Sequence, residues 1–219
     1  MSDENPSAQN RSSEQRDVRS RIIEATFHVL VEHGYAGTST REIARRARVS
    51  KRELYALFDS KDGILAAMIA SRATRMREPL SIPDAPDRAS LTETLTRFGI
   101  SFLTEASSPA VLALFRLAMA EAERAPSLAQ HLHTYGRAPT FATLVSFLTR
   151  AAARGLIDGA EPAAMAGRFF ALLWGDLQIS LLLRLVEAPH PDEIEERAGS
   201  AVGALLSLYA LPEQSNPTH

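Results

Sequence analysis

The 219-residue chain has no cysteine. That excludes disulfides, thiolate metal sites and a cysteine nucleophile, and it suits a reducing compartment, so a cytoplasmic location is expected. The chain also lacks any run of about 18 apolar residues, the length a membrane-crossing helix needs. Its longest candidate, 165–186, is interrupted by Arg168, Asp176, Gln178 and Arg184. The first 17 residues hold no apolar stretch of the kind that marks a signal peptide, and 1–15 are expected to be a disordered, solvated tail. Eleven glycines and twelve prolines are too few for a fibrous or wholly disordered chain. Alternating β-branched patterns are scarce, so strands are not expected.

Catalytic signatures are missing as well. There is no G-x-S-x-G elbow, no glycine-rich phosphate loop and no H-E-x-x-H. His131 and His133 stand two positions apart on a helix, about 200° around it, and do not converge on one metal. No enzymatic activity, metal or cofactor is expected.

What is present is a chain 45% apolar, enough for a substantial core, with a net charge of −2. The charge is unevenly spread. Residues 1–78 carry +3 and residues 79–219 carry −5. Within 41–52 there are six bases, Arg41, Arg45, Arg46, Arg48, Lys51 and Arg52, against one acid, Glu42. Such a block suits phosphate neutralisation, which supplies much of the free energy of DNA binding.

The apolar spacing is helical throughout. Ile22, Ile23, Ala25, Thr26, Val29 and Leu30 predict a helix over 16–32 ending at His33-Gly34. Thr40 reads as the N-cap of a short helix with Ile43, Ala44 and Ala47 inside. After a tight turn at Arg48-Val49, Ser50 and Glu53 have the spacing of a capping box. The helix they open, 50–58, puts Leu54, Leu57 and Phe58 inward and Lys51, Arg52 and Tyr55 outward. A further helix starts near Asp59-Ser60-Lys61-Asp62. Short helices in this order, with a tight turn between the second and third, describe a helix-turn-helix. Beyond the proline-rich 80–87, helices are expected over 88–105, from Pro109 to about 124, over 127–154, 162–186 and 192–208. The breaks between them fall at Ser107-Ser108-Pro109, Ala125-Pro126, Gly155/Gly159 and Pro189-His190-Pro191.

The N-terminal segment resembles the TetR family of one-component repressors. The matching residues are Arg21-Ile22-Ile23-Glu24-Ala25-Thr26, Gly34-Tyr35, Thr38-Ser39-Thr40, Glu42-Ile43-Ala44, Ala47, Val49-Ser50, Leu54-Tyr55, Phe58 and Ser60-Lys61. One departure is Arg48, where the family usually has glycine. The resemblance implies an all-α protein of about nine helices. It divides into a tail (1–15), a helix-turn-helix domain with its connecting helix (16–78), a ligand-binding and dimerisation domain (79–211) and a flexible tail (212–219). It further implies a homodimer on double-stranded palindromic operator DNA, released by a small effector. A DNA-binding dimer with no effector is the alternative reading.

On that picture Ser50, Lys51 and Arg52 lie nearest base edges, and a lysine or arginine there suits guanine O6 and N7. Thr40, Arg41, Tyr55 and Lys61 are expected on phosphates, and Arg48 on a phosphate or a base. The effector is expected to be apolar or aromatic, lined by Phe98, Phe102, Phe115, Met119, Tyr135, Trp174 and Asp176, with Arg97, Arg116 and His131 as further polar anchors. For Asp176 and Gln178 two readings stand open, ligand contact or dimer seam. Leu172, Leu173, Leu177, Leu181, Leu185, Val202, Leu205 and Leu206 offer the apolar surface for a four-helix dimer bundle.

Overall fold

The computed structural model describes residues 6–81, 84–124, 126–158 and 161–211, and among these there is helix but no strand. The expected flexible tail at 212–219, and residues 1–5 of the expected N-terminal tail, lie outside them, as do Ile82, Pro83, Ala125 and Gly159 at the expected breaks. The helices are α1 (Pro6–Gly37), α2 (Thr40–Ala47), α3 (Lys51–Leu57), α4 (Lys61–Arg77), α5 (Arg88–Ala106), α6 (Pro109–Ala120), α7 (Pro126–His131), α8 (Ala138–Ala153), α9 (Pro162–Trp174), α10 (Leu177–Leu182) and α11 (Pro191–Leu208). Merging α7 with α8 and α9 with α10, which the sequence reads as single helices, leaves nine.

Two compact units divide the chain. One holds residues up to 71 together with 113–136, and the other holds 72–112 with 137 onward. The boundary expected near residue 79 is therefore only part of the division, because the end of α6 and all of α7 cluster with the N-terminal head.

The head is built on α1. Ile22, Val29 and Leu30 are fully buried along one face, and the buried Thr26 hydroxyl bonds back to the Ile22 carbonyl at 2.7 Å. The helix is already present at Pro6, where the described residues begin, so 6–15, expected to be a disordered tail, are helical instead. The first helical segment ends at Gly34, where the spacing places its end, with φ 70° and ψ 179°. The chain resumes a helical turn to Gly37, and the buried Thr38 ties it down by donating its hydroxyl to the Gly34 carbonyl at 2.6 Å. Ile43, Ala44 and Ala47 from α2, Leu54 from α3 and Ile64 from α4 close the core with Phe58. A side chain such as Leu54, at 0% exposure, is worth about 1.5–3 kcal/mol by burial alone.

Ser39, not Thr40, caps α2. Its Oγ accepts from the Glu42 N–H at 3.2 Å, and Thr40 is the first helical residue. α2 ends with Arg48 in the left-handed region, φ 56° and ψ 47°, and the Val49 N–H bonds to the Ala44 carbonyl at 3.0 Å. For a residue with a Cβ this conformation costs about 1–2 kcal/mol. Arg184, which ends α10, is the other described non-glycine residue at positive φ.

In the second unit α5, α8, α9 and α11 pack around Phe98, Phe147 and Phe169, each at most 1% exposed. Gly99 permits the close approach of three helices. A Cβ there would stand 3.1 Å from the Ala198 Cβ and 3.2 Å from Leu173 Cδ2. The helix expected over 127–154 is interrupted by a π turn at Leu132–Arg137. Pro139 has no N–H to give and its ring displaces the carbonyl one turn back, so the preceding backbone widens. The helix expected over 162–186 breaks at Gly175, φ 48° and ψ −125°. Arg197 then donates to the freed Leu173 and Trp174 carbonyls at 3.4 and 3.5 Å.

Candidate nucleic-acid interface

α3 carries the expected reading face. The Ser50 Oγ accepts from the Glu53 N–H at 3.1 Å, and the Ser50 N–H donates to Glu53 Oε2 at 2.7 Å, so the capping box is closed on both sides. The bond from the Ser50 N–H holds the Glu53 carboxyl below its ordinary value. The box fixes the first turn of α3, and Lys51 and Arg52 project from that turn, exposed. One turn on, Tyr55 is 48% exposed. Its hydroxyl lies 3.1 Å from the Thr40 Oγ1 at the start of α2, so the two hydroxyls expected on phosphates form one polar point.

The six bases of 41–52 divide by partner. Arg45 donates to Glu42 at 2.9 Å, and Arg46 pairs with Glu32 at 2.6 Å. These arginines hold the Glu42 and Glu32 carboxyls low, chiefly by hydrogen bonding. Arg41, Arg48, Lys51 and Arg52 are exposed, with no ion pair or side-chain hydrogen bond among the described residues. The four free cations are therefore those that flank the turn or open the two helices.

Lys61 is used differently from the expectation. It is half-buried, its Nζ donates to the Tyr35 carbonyl at 3.2 Å, and the ammonium stands 4.2 Å from the centre of the Tyr35 ring. The Tyr35 hydroxyl in turn donates to Asp62 at 3.0 Å and lies 2.8 Å from the Ser127 Oγ. Burial pushes the Tyr35 phenol up, Asp62 adds to this, and Ser127 opposes it. This node joins α1, α4 and α7 within the head unit. The separation of 92 residues between Tyr35 and Ser127 leaves no trace in local spacing.

The residues expected to line an effector are divided between the two units. Phe98 is fully buried, stacked on Phe169 at 5.9 Å between ring centres, and belongs to the core. Phe102 and Trp174, partly buried, meet edge to face at 5.7 Å in the same unit. Phe115, Met119 and Tyr135 belong to the other unit, where Met119 is 54% exposed and Tyr135 stacks on His131 at 5.6 Å. Of the further anchors, Arg97 is exposed, Arg116 is partly buried, and His131 Nδ1 is buried without a hydrogen-bond partner among the described residues. Asp176 stands exposed at the α9–α10 joint. An open groove of about 590 Å³ lies in the second unit, lined by Leu172, Leu177, Val186, Pro189, Ser200 and four charged residues, Glu187, Glu193, Glu196 and Arg197. None of the seven expected lining residues borders it.

The second unit also leaves large apolar side chains exposed after α9. Ile179, Leu183 and Leu185 are 55%, 62% and 70% exposed. On α9 and α11 a Cβ added at Gly167, Gly199 or Gly203 would meet nothing within 4 Å.

Comparison with known proteins matches residues 22–68 to the N-terminal model described as bacterial regulatory proteins, tetR family. Residues 93–211 match the C-terminal domain of AefR-like transcriptional repressors. An uncharacterised helix-turn-helix transcriptional regulator of Bacillus subtilis, YvkB, is 24% identical over 82% of this chain and 93% of its own length. A TetR transcriptional regulator from Agrobacterium tumefaciens has a solved structure that superposes with a TM-score of 0.69 at 29% identity, over 87% of this chain and 94% of that one. The flavonoid-responsive regulator FrrA superposes with a TM-score of 0.67 at 28% identity, over 88% and 96%.

Proposed function

Because this chain belongs to the TetR family of bacterial transcriptional regulators, we propose that it is a ligand-responsive repressor that binds a palindromic operator as a homodimer. The observation that carries the reading is the set of exposed cations without partners, Arg41, Lys51 and Arg52 foremost, on a capped helix and the helix before it. Lys51 and Arg52 serve base edges, where either can engage guanine O6 and N7. Arg41 and the Thr40–Tyr55 hydroxyl pair hold phosphates, and the backbone at Ser50 sets the depth of the helix in the groove. Lys61 shapes the head through Tyr35, with its charge available only at the margin of the interface.

The second copy covers the face of α9, α10 and α11. Exposed leucines beside glycines let helices approach closely, and such surface is costly to leave in water. Asp176, exposed on that face, belongs to the dimer seam rather than to the effector. Two heads held so present their α3 helices about 34–36 Å apart, one turn of duplex. The effector acts by favouring conformations of the dimer that miss this spacing, in proportion to its differential affinity. Flat aromatic compounds fit best. Phe102, Phe170 and Trp174 are only partly buried, and FrrA, a structural relative, is described as flavonoid-responsive.

Selection of bound duplexes from a random pool tests this. The expected product is a two-fold symmetric site bound by two chains, from which an aromatic compound releases the protein. Recovery of asymmetric or unrelated sequences by a monomer contradicts it. A second reading, a DNA-binding dimer without an effector, draws on the filled interior around Phe98, Phe147 and Phe169. It predicts that no compound in such a screen alters operator affinity.

A further inference from the structure

The turn between α2 and α3 holds a residue unsuited to its backbone. Arg48 is left-handed at φ 56°, and its N–H reaches back to the Ala44 and Arg45 carbonyls. Glycine satisfies such a helix end without a Cβ, and asparagine is the next most tolerant residue. An arginine there sacrifices stability and receives nothing from the protein in return. Its guanidinium is exposed and makes no ion pair, hydrogen bond or ring contact among the described residues. Arg41 and Arg52 share that lack of a partner but not the positive φ, whereas Arg19 lies over the Phe58 ring, Arg21 pairs with Asp17, and Arg45 and Arg46 have carboxylates.

We propose that Arg48 is a DNA-backbone contact, and that the bound phosphate supplies the partner its guanidinium lacks among the described residues. The inference rests on the DNA-binding reading and deepens it. Arg48 stands two residues before Ser50, where the capped helix begins, so it flanks the helix that enters the groove instead of riding on it. That position faces the strand at the groove's rim, not base edges. The contact therefore adds affinity equally on all sequences, and removing it separates two quantities that normally move together. The free protein gains stability while the complex loses affinity.

The test uses the full chain, duplex DNA of mixed sequence, a salt titration and a thermal melt. Arg48→Gly is expected to melt about 2–4 °C higher, because the strained backbone is relieved. The slope of log affinity against log salt should become shallower by about 0.9 for each head bound. Arg48→Lys keeps the charge and the strain, and should match the parent in both measurements. Arg48→Asn, tolerant of the backbone but uncharged, should lose slope like the glycine variant and provides a second reading of it. An unaltered slope in Arg48→Gly and Arg48→Asn overturns the proposal. So does a lower melting temperature for Arg48→Gly, which would mean that the turn is not strained. Failure of the parent chain to bind any duplex would instead sink the DNA-binding assignment itself.

Discussion

Two pairs of basic residues, similar in composition and only a few positions apart, should behave differently on DNA. Lys51 and Arg52 are exposed and unpaired at the start of α3, whereas Arg45 and Arg46 are tied to Glu42 and Glu32. On the proposed reading, replacing Lys51 and Arg52 by alanine removes two base contacts from each head. A good bidentate contact is worth about 1–3 kcal/mol of discrimination, so the loss is at least about 2 kcal/mol per head, or roughly 30-fold. Base contacts carry sequence preference, so on this reading the operator should lose its advantage over unrelated DNA, while binding to unrelated DNA changes far less. Replacing Arg45 and Arg46 removes the same formal charge but no contact that releases a counterion. Its salt slope should stay within about 0.5 of the parent's between about 50 and 200 mM salt. Fluorescence anisotropy on labelled operator and on a scrambled duplex, across that range, measures both quantities. If the two double variants lose operator preference and slope equally, the argument from ion pairing is wrong and the whole block acts as a diffuse positive patch.

The remaining predictions concern how the scaffold holds these groups. Ser50→Ala should lower stability by about 1 kcal/mol, or about 2–4 °C in melting temperature, and weaken operator binding beyond that by fraying the first turn of α3. Glu53, Glu42 and Glu32 all have carboxyls held below the ordinary value of 4.5, so their contribution is complete above it and is lost as the pH falls through the lower folded values; a denaturation series on the acid side should show this loss. Tyr35 is shifted the other way, so its contribution is complete below the ordinary value of 10 and is lost as the pH rises through the folded value, and Tyr35→Phe should remove that alkaline dependence. Gly99→Ala gains about 1 kcal/mol of helix propensity but meets Ala198 and Leu173 at 3.1 and 3.2 Å, both buried on neighbouring helices. Overpacking costs about 1–3 kcal/mol, so a net loss is expected by denaturant titration, and a stabilised variant would show that α5 can move away.

The helix-turn-helix was readable because its determinants are local. Ile43, Ala44 and Ala47 mark one face of α2, and the three-residue spacing of Ser50 and Glu53 specifies both bonds of the capping box. The choice between Ser39 and Thr40 as the α2 cap was not readable, since adjacent hydroxyls are equally able to cap and tertiary context decides. Nor were the partners of Arg45 and Arg46, because an ion pair to Glu32 depends on where α1 passes α2. The Gly175-Asp176 dipeptide was the available sign of the α9 break, outweighed by the apolar run on either side. Division of the chain into units that interleave 113–136 with the head left no local sign at all.

The same distinction bears on the effector. Spacing identifies large apolar residues that face inward, but a packed aromatic core and a lined cavity produce the same spacing. Phe98 shows the difference: its ring lies 5.9–6.1 Å from those of Phe102, Phe169 and Phe170, so its neighbours are protein on several sides. Phe102 contacts Phe170 at 4.9 Å and Trp174 at 5.7 Å, yet all three remain partly exposed. Shrinking Phe98, by contrast, would act first on stability, at about 3–5 kcal/mol for loss of a buried phenyl ring. Trp174 has a further consequence. It is the last residue of α9 before the Gly175 break, and its carbonyl is one of the two that Arg197 holds. Pressure on that indole therefore acts at the joint between α9 and α10, the helices whose exposed apolar side chains we propose a second copy covers.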